Sequence, residues 1–201
     1  MPRGVVDFEA LKSKEMQALR SVGPPEGLPF NITKLGHVVL MVQDLERSVQ
    51  FYTQVLGFRI SDVYPDTMVP GRMVFMRCNA DHHGVALVGG ADDKSRHKEM
   101  HHLAFEVATI DEVFRARAHL RAHNVPIDFE GRRRAGAQVA VEFRDPDDHR
   151  LEIFWGLDQV GSGAHIRPPE EWREVFSLED AVANAPPGQD TTVQDKSLLE
   201  E

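Results

Sequence analysis

A single cysteine, Cys78, leaves the 201-residue chain without a partner for an intramolecular disulfide, so packing and hydrogen bonds must hold the fold. Any metal would have to be held by histidine and carboxylate. Positive charge is also scarce: 23 Lys and Arg stand against 32 Asp and Glu, a formal net charge of -9. That balance excludes nucleic acid or an anionic membrane as the main partner, since both need a cationic footprint. The short basic run Arg132 to Arg134 does not reverse it. No stretch approaches the roughly 20 apolar residues of a membrane-spanning helix, and the first residues lack the apolar centre of a signal peptide. A cytoplasmic setting, where a lone thiol stays reduced, is the resulting expectation. The length and the 41% hydrophobic content predict one domain with tails rather than two full domains.

What the chain does contain is an internal repeat. His37 opens the strand-like HVVLMV and His102 opens HLAFEV; aligned on these histidines, HVVLMVQDLERSVQFY matches HLAFEVATIDEVFRAR as strand, short turn and helix start. In the first unit Asp44 is an N-cap for the helix LERSVQFYTQVL, which Gly57 ends, and strands follow at FRISDVY, RMVFMRC and GVALV. In the second, Thr109 and Glu112 form a capping box ahead of IDEVFRARAHLRAHN, followed by strands at PIDFEG, QVAVEF and HRLEIFW. The expectation is an α+β fold of paired βαβββ modules, residues 34–90 and 100–157, forming one curved mixed sheet. Residues 1–33 read as an extension with one amphipathic helix in VVDFEALKSKEMQALRSV, and residues 158–201 as a partly disordered extension whose short helix Trp172 and Phe176 could anchor.

Strand alternation places His37 with Val39 and Met41, His102 with Ala104 and Glu106, and Glu152 with Phe154. If the equivalent faces converge, His37, His102 and Glu152 meet in the concavity. Two imidazoles and a carboxylate from separate strands suit a divalent metal with open coordination positions. A carboxylate inside the apolar LEIFW would otherwise be costly to bury.

The paired modules, the strand-opening His37, the run His101-His102-Leu103-Ala104-Phe105 and the ending Asp145-Pro146-Asp147-Asp148-His149-Arg150-Leu151-Glu152 resemble the vicinal oxygen chelate superfamily over about residues 34–157. That superfamily includes glyoxalases, epimerases, fosfomycin-type transferases, drug-binding resistance proteins and extradiol ring-cleaving dioxygenases. The strand Gly84-Val85-Ala86-Leu87-Val88 offers no fourth ligand where glyoxalase-like members usually have one. The stretch from Cys78 to Leu87 is similar to the extradiol segment in which the second histidine of a pair is the acid/base, which here is His83. The resemblance therefore implies an extradiol-type dioxygenase using non-haem Fe(II), with Mn(II) or another divalent metal as the alternative, acting on an aromatic diol and O2. An imidazole suits the acid/base role because it titrates near neutrality. The other readings are another metal-dependent enzyme of the superfamily or a non-catalytic small-molecule-binding resistance protein.

Two positions depart from the extradiol pattern. Arg133 stands where a second active-site histidine is usual, and Glu142 stands where a tyrosine is usual in the strand before Asp145-Pro146. Arg133 could donate to an anionic substrate, and Tyr64 could supply a phenol from elsewhere. His82 and His101 are candidates beside the ligands, His149 belongs to the turn, and His97, His119, His123 and His165 read as solvated. Asp148 replaces the glycine common in that turn. Cys78 reads as a buried, inert thiol. Members of the superfamily often pair through sheet edges or exchanged units, so a homodimer or higher homo-oligomer is expected.

Overall fold

The computed structural model describes residues 6–23, 35–96, 100–159 and 166–199. His97 and His165 lie outside the described residues. The chain divides into two compact units, 1–35 and 36–201.

In the first unit the expected single helix is two short ones, α1 (Phe8–Leu11) and α2 (Lys14–Arg20). Each has its own N-cap: Asp7 accepts from the Ala10 N–H at 2.9 Å and Ser13 from the Met16 N–H at 3.3 Å. Competition by these side chains for helical N–H groups breaks the run between them.

The second unit carries β1 (Val38–Met41), α3 (Leu45–Gln50), β2 (Arg59–Tyr64), β3 (Met73–Arg77) and β4 (Val85–Val88), and then the same order again. The repeat is β5 (Leu103–Glu106), α4 (Ile110–Ala122), β6 (Ile127–Arg132), β7 (Val139–Arg144) and β8 (Arg150–Trp155). The α+β class and the paired βαβββ modules are thus as expected. Hydrogen bonding gives each module its own four-stranded mixed sheet, in the orders β1-β4-β3-β2 and β5-β8-β7-β6, where one continuous sheet was expected. In each, the first and last strands of the module run parallel at one side, which is the crossover the helix makes possible.

Caps set the helices as the sequence predicts. Asp44 accepts from the Arg47 N–H at 3.0 Å, and Thr109 and Glu112 form the reciprocal capping box. After Gln50 the first helix widens into a five-residue turn over Phe51–Val55, closed by the Leu56 N–H on the Phe51 carbonyl at 3.3 Å. The modules meet around the turn before β8. Asp147 accepts from the Gln43 N–H, from the Ser48 hydroxyl at 2.6 Å and from Arg47 at 3.1 Å, while Asp145 accepts from the buried Tyr52 hydroxyl at 3.1 Å and from His149 at 2.9 Å. Burial, and then the charge of Asp145, push the Tyr52 phenol well up from its ordinary value. Phe51 meets Phe143 and Phe58 meets Phe105 across the same junction. Asp148 sits at φ 63°, the left-handed conformation a glycine would take.

Within the C-terminal extension the described residues run to 159 and from 166 to 199. Residues 166–199 pack on the second module through α5 (Leu178–Ala183), and Leu178, Ala181 and Val193 have no exposure. Trp172 and Phe176 are not the buried anchors; Phe176 is 61% exposed. The fastening is polar. Arg132, fully buried, donates to the carbonyls of Asn184 and Ala181 and to Gln189 Oε1 at 3.2 Å, and Asp111 accepts from the N–H groups of Gln194 and Asp195.

Candidate functional site

The first module gathers His37, His83, Phe75 and Tyr64. His37 leads into β1 and His83 lies just before β4, whose parallel register with β1 puts the two imidazoles side by side, with ring centroids 4.6 Å apart. Phe75 meets His83 edge-on at 5.0 Å, and Tyr64 meets Phe75 at 4.8 Å. His82 approaches His83 with the Nδ1 atoms 3.0 Å apart, and its Nε2 lies 3.7 Å from Asp62 Oδ2. Burial, then the neighbouring charges of His37 and His82, hold the His83 pKa below the ordinary histidine value, so at neutral pH its imidazole is uncharged and can accept a proton.

The second module supplies the buried carboxylate. Glu152 on β8 is 2% exposed, and its Oε2 lies 3.5 Å from His102 Nε2. The side-chain amide of Gln138 donates to its Oε1 at 3.5 Å. Behind His102, His101 has its Nδ1 2.8 Å from that of His102 and its Nε2 3.3 Å from Arg150 Nη1. Burial first, then His102 and Arg150, lower the His101 pKa. On the same face Arg133 and Glu142 form an ion pair, and the Arg133 guanidinium lies 3.6 Å from the centre of the Phe129 ring.

The predicted residues therefore fall into two groups, His37 with His83 and His102 with Glu152. Among the described residues, no three His, Cys, Asp or Glu side chains gather closely enough to hold one ion. The donor set nevertheless fits a divalent metal. Bonds of about 2.1 Å place two ligands of one ion about 3.0–3.4 Å apart, close to the His102–Glu152 separation. Gln138 Oε1 is buried without a hydrogen-bond partner beside that carboxylate.

Sequence reasoning missed Gln138 and Phe129, and read Phe176 only as a helix anchor. Alternation along QVAVEF could have placed Gln138 on the Glu142 face, but nothing local links Phe176 to β6. His119 and His123 contact each other, with ring centroids 4.2 Å apart, and bond to the carbonyls of Val55 and His119. His149 serves the turn through Asp145. Cys78 is exposed rather than buried, because it lies at the end of β3 where the chain turns outward.

The paired βαβββ modules place a histidine just before the first strand of each, and a buried carboxylate on the last strand of the second. A family model described as "Glyoxalase/Bleomycin resistance protein/Dioxygenase superfamily" matches residues 34–153, and the chain belongs to that superfamily. It is 33% identical over 131 residues to a biphenyl-2,3-diol 1,2-dioxygenase of Metapseudomonas furukawaii, a match covering 63% of this chain and 41% of the relative. It is 27% identical over 131 residues to a manganese-dependent 2,3-dihydroxybiphenyl 1,2-dioxygenase of Geobacillus genomosp. 3, covering 64% and 38%. It is also 36% identical over 88 residues to an iron-dependent extradiol dioxygenase of Rhodococcus jostii, covering 39% and 28%. The chain spans less than half the length of these relatives. Among solved structures, the fosfomycin resistance protein FosX of Listeria monocytogenes superposes with TM-score 0.52 at 23% identity, over 63% of this chain and 95% of that one, a likeness of fold. Among the described residues no helix is long and apolar enough to cross a membrane.

Proposed function

We propose that the chain is a metal-dependent extradiol-type dioxygenase that opens an aromatic diol with O2. The observation that carries this is the buried Glu152 beside His102, in a superfamily domain whose relatives include diol dioxygenases under both iron and manganese. In this reading His37, His102 and Glu152 would hold Fe(II), with Mn(II) as the alternative. A metal held there would supply positive charge for binding the two oxygens of the diol together with O2.

The remaining work falls to side chains. His83, uncharged at neutral pH, takes the proton of a diol hydroxyl and returns it later in the cycle. His37 and Phe75 pack on its ring and fix its direction. Phe75 and Tyr64 line the apolar side and exclude water. Gln138 steadies the Glu152 carboxylate, and Arg133, tied to Glu142, faces the substrate beside it. The domain proper spans residues 34–157, preceded by the 1–33 extension, and the active protein is a homo-oligomer.

The test is anaerobic loading with Fe(II) or Mn(II), followed by oxygen uptake on a panel of catechols. Uptake that His83→Ala abolishes while the metal stays bound is the expected result. Metal binding with no oxygen uptake on any diol overturns the dioxygenase reading and leaves another metal-dependent chemistry of the superfamily.

A further inference from the structure

The sheet face that carries Glu152 continues past it in a cross-strand row: Ala104 on β5, Glu152 on β8, Glu142 on β7 and Phe129 on β6 stand directly opposite one another in turn. The opposite face is the packed one, where α4 lies on the fully buried Val139, Val141 and Phe143. Strands lie about 4.8 Å apart, so Phe129 stands about 10 Å from Glu152 along this row.

The row does not end at β6. Arg132 and Val175 form an antiparallel bridge, with the Arg132 N–H on the Val175 carbonyl at 3.1 Å, so the C-terminal segment extends the sheet by a short edge. Alternation sends Val175 to the core side with Arg132 and Phe176 to the side of Glu152. The Phe129 and Phe176 rings meet edge-on at 6.2 Å. The Arg133 guanidinium lies over the Phe129 ring and pairs with Glu142, the residue between Phe129 and Glu152 in the row. This segment is fixed in place: a Cβ on Gly131, at φ 132°, would fall 2.2 Å from the Val175 carbonyl oxygen, and Arg132 clamps α5 from within. A lone exposed phenylalanine is ordinary. Here the segment buries Leu178, Ala181 and Val193 completely yet holds Phe176 61% exposed at the end of the row that starts at the candidate metal ligands.

We infer that Phe176, together with the Arg133–Phe129 stack, is the wall that receives the second, non-reacting ring of a two-ring aromatic diol, which makes the C-terminal segment a specificity element of the site. The inference rests on the diol reading above and deepens it. A ring laid on the guanidinium gains its cation–π attraction, and its outer edge meets Phe176.

The experiment is calorimetric binding of catechol and of 3-phenylcatechol to the anaerobic, Fe(II)-loaded protein, which reads affinity without turnover. The wild type should bind 3-phenylcatechol about tenfold more tightly than catechol. Phe176→Ala should cut that preference to about threefold or less with catechol affinity unchanged, while Phe176→Tyr keeps it. Unchanged thermal unfolding of both variants excludes a folding effect. Equal binding of the two diols by the wild type, or a preference that survives Phe176→Ala, overturns the inference and spares the diol reading. Binding of neither diol overturns both.

Discussion

Arg133 and Glu142 form an ion pair, and Glu142 stands directly across the β7–β8 ladder from Glu152. The two departures from the extradiol pattern therefore touch each other: the cation that follows β6 meets the anion on β7. Like charges directly opposite on neighbouring strands destabilise a sheet, so Arg133 also offsets the approach of Glu142 to Glu152. Arg133→Ala should lower stability by about 1 kcal/mol, a modest figure because both partners keep some solvent contact. Adding Glu142→Gln should recover most of it. Urea unfolding of the two single variants and the double variant measures the coupling, and simple additivity would show that the pair contributes none.

The relationship shows where the sequence was legible and where it stopped. The βαβββ repeat could be read because strand alternation, Asp44 and the Thr109–Glu112 box are local signals, and each lies where it was expected. Placing His102 and Glu152 on one face needed only a period of two. The pairing of Arg133 with Glu142 needs cross-strand register, which a single sequence does not carry. Arg132 was hidden by composition: in a run of three arginines it looks solvated, yet alternation in β6 turns it inward to carbonyls some fifty residues later. The short helix in the C-terminal extension could be read, but not its seat, because the buried residues there, Leu178, Ala181, Val193 and Leu198, are spread among polar ones. Neither does a sequence reveal how the two modules meet, because Ser48 and Tyr52 reach Asp147 and Asp145, and Phe51 and Phe58 reach Phe143 and Phe105, across long stretches of chain that no local pattern links.

Glu152 gives the clearest test of the metal centre. Glu152→Gln should lower divalent-metal affinity about 100-fold or more, since even residues supporting a ligand cost 10–100-fold. The metal-free variant should be at least as stable as the metal-free wild type, because a buried charge has been removed. His37→Ala should weaken the metal comparably. Anaerobic titration calorimetry with Mn(II) reads both, and wild-type affinity in His37→Ala would remove His37 from the ligand set.

Arg132 should be among the costliest substitutions in the chain. Burial, then the charge of Arg167, lower its pKa to about 10, so it remains a cation at neutral pH, compensated by carbonyl and amide oxygens. Arg132→Met removes the donors to Ala181, Asn184 and Gln189 and should cost about 3 kcal/mol. Arg132→Lys should not rescue it, because an ammonium lacks the planar fork. Hydrogen exchange should then rise first in residues 175–184. Gly131→Ala should do the same by pushing the Val175 carbonyl away.

Asp111 makes that fastening sensitive to acid. Burial pushes its pKa up, but the N–H groups of Asp195 and Gln194, with the charge of Arg115, outweigh burial and leave it below the usual 3.8. A carboxyl whose folded pKa is depressed adds stability that is complete above the unfolded value and disappears as pH falls through the folded one. The contribution should thus be full at neutral pH and fade below about pH 4. Asp111→Asn removes the charge at every pH and places an NH2 group against one of the two N–H donors. The melting temperature of the variant should lie below that of the wild type at pH 7, and the two should converge as the pH falls through the depressed folded pKa of Asp111. A gap that persisted unchanged into acid would mean that Asp111 acts through shape rather than charge. Asp190 and Asp195, also lowered, remain in both proteins, so the difference between the two curves isolates Asp111.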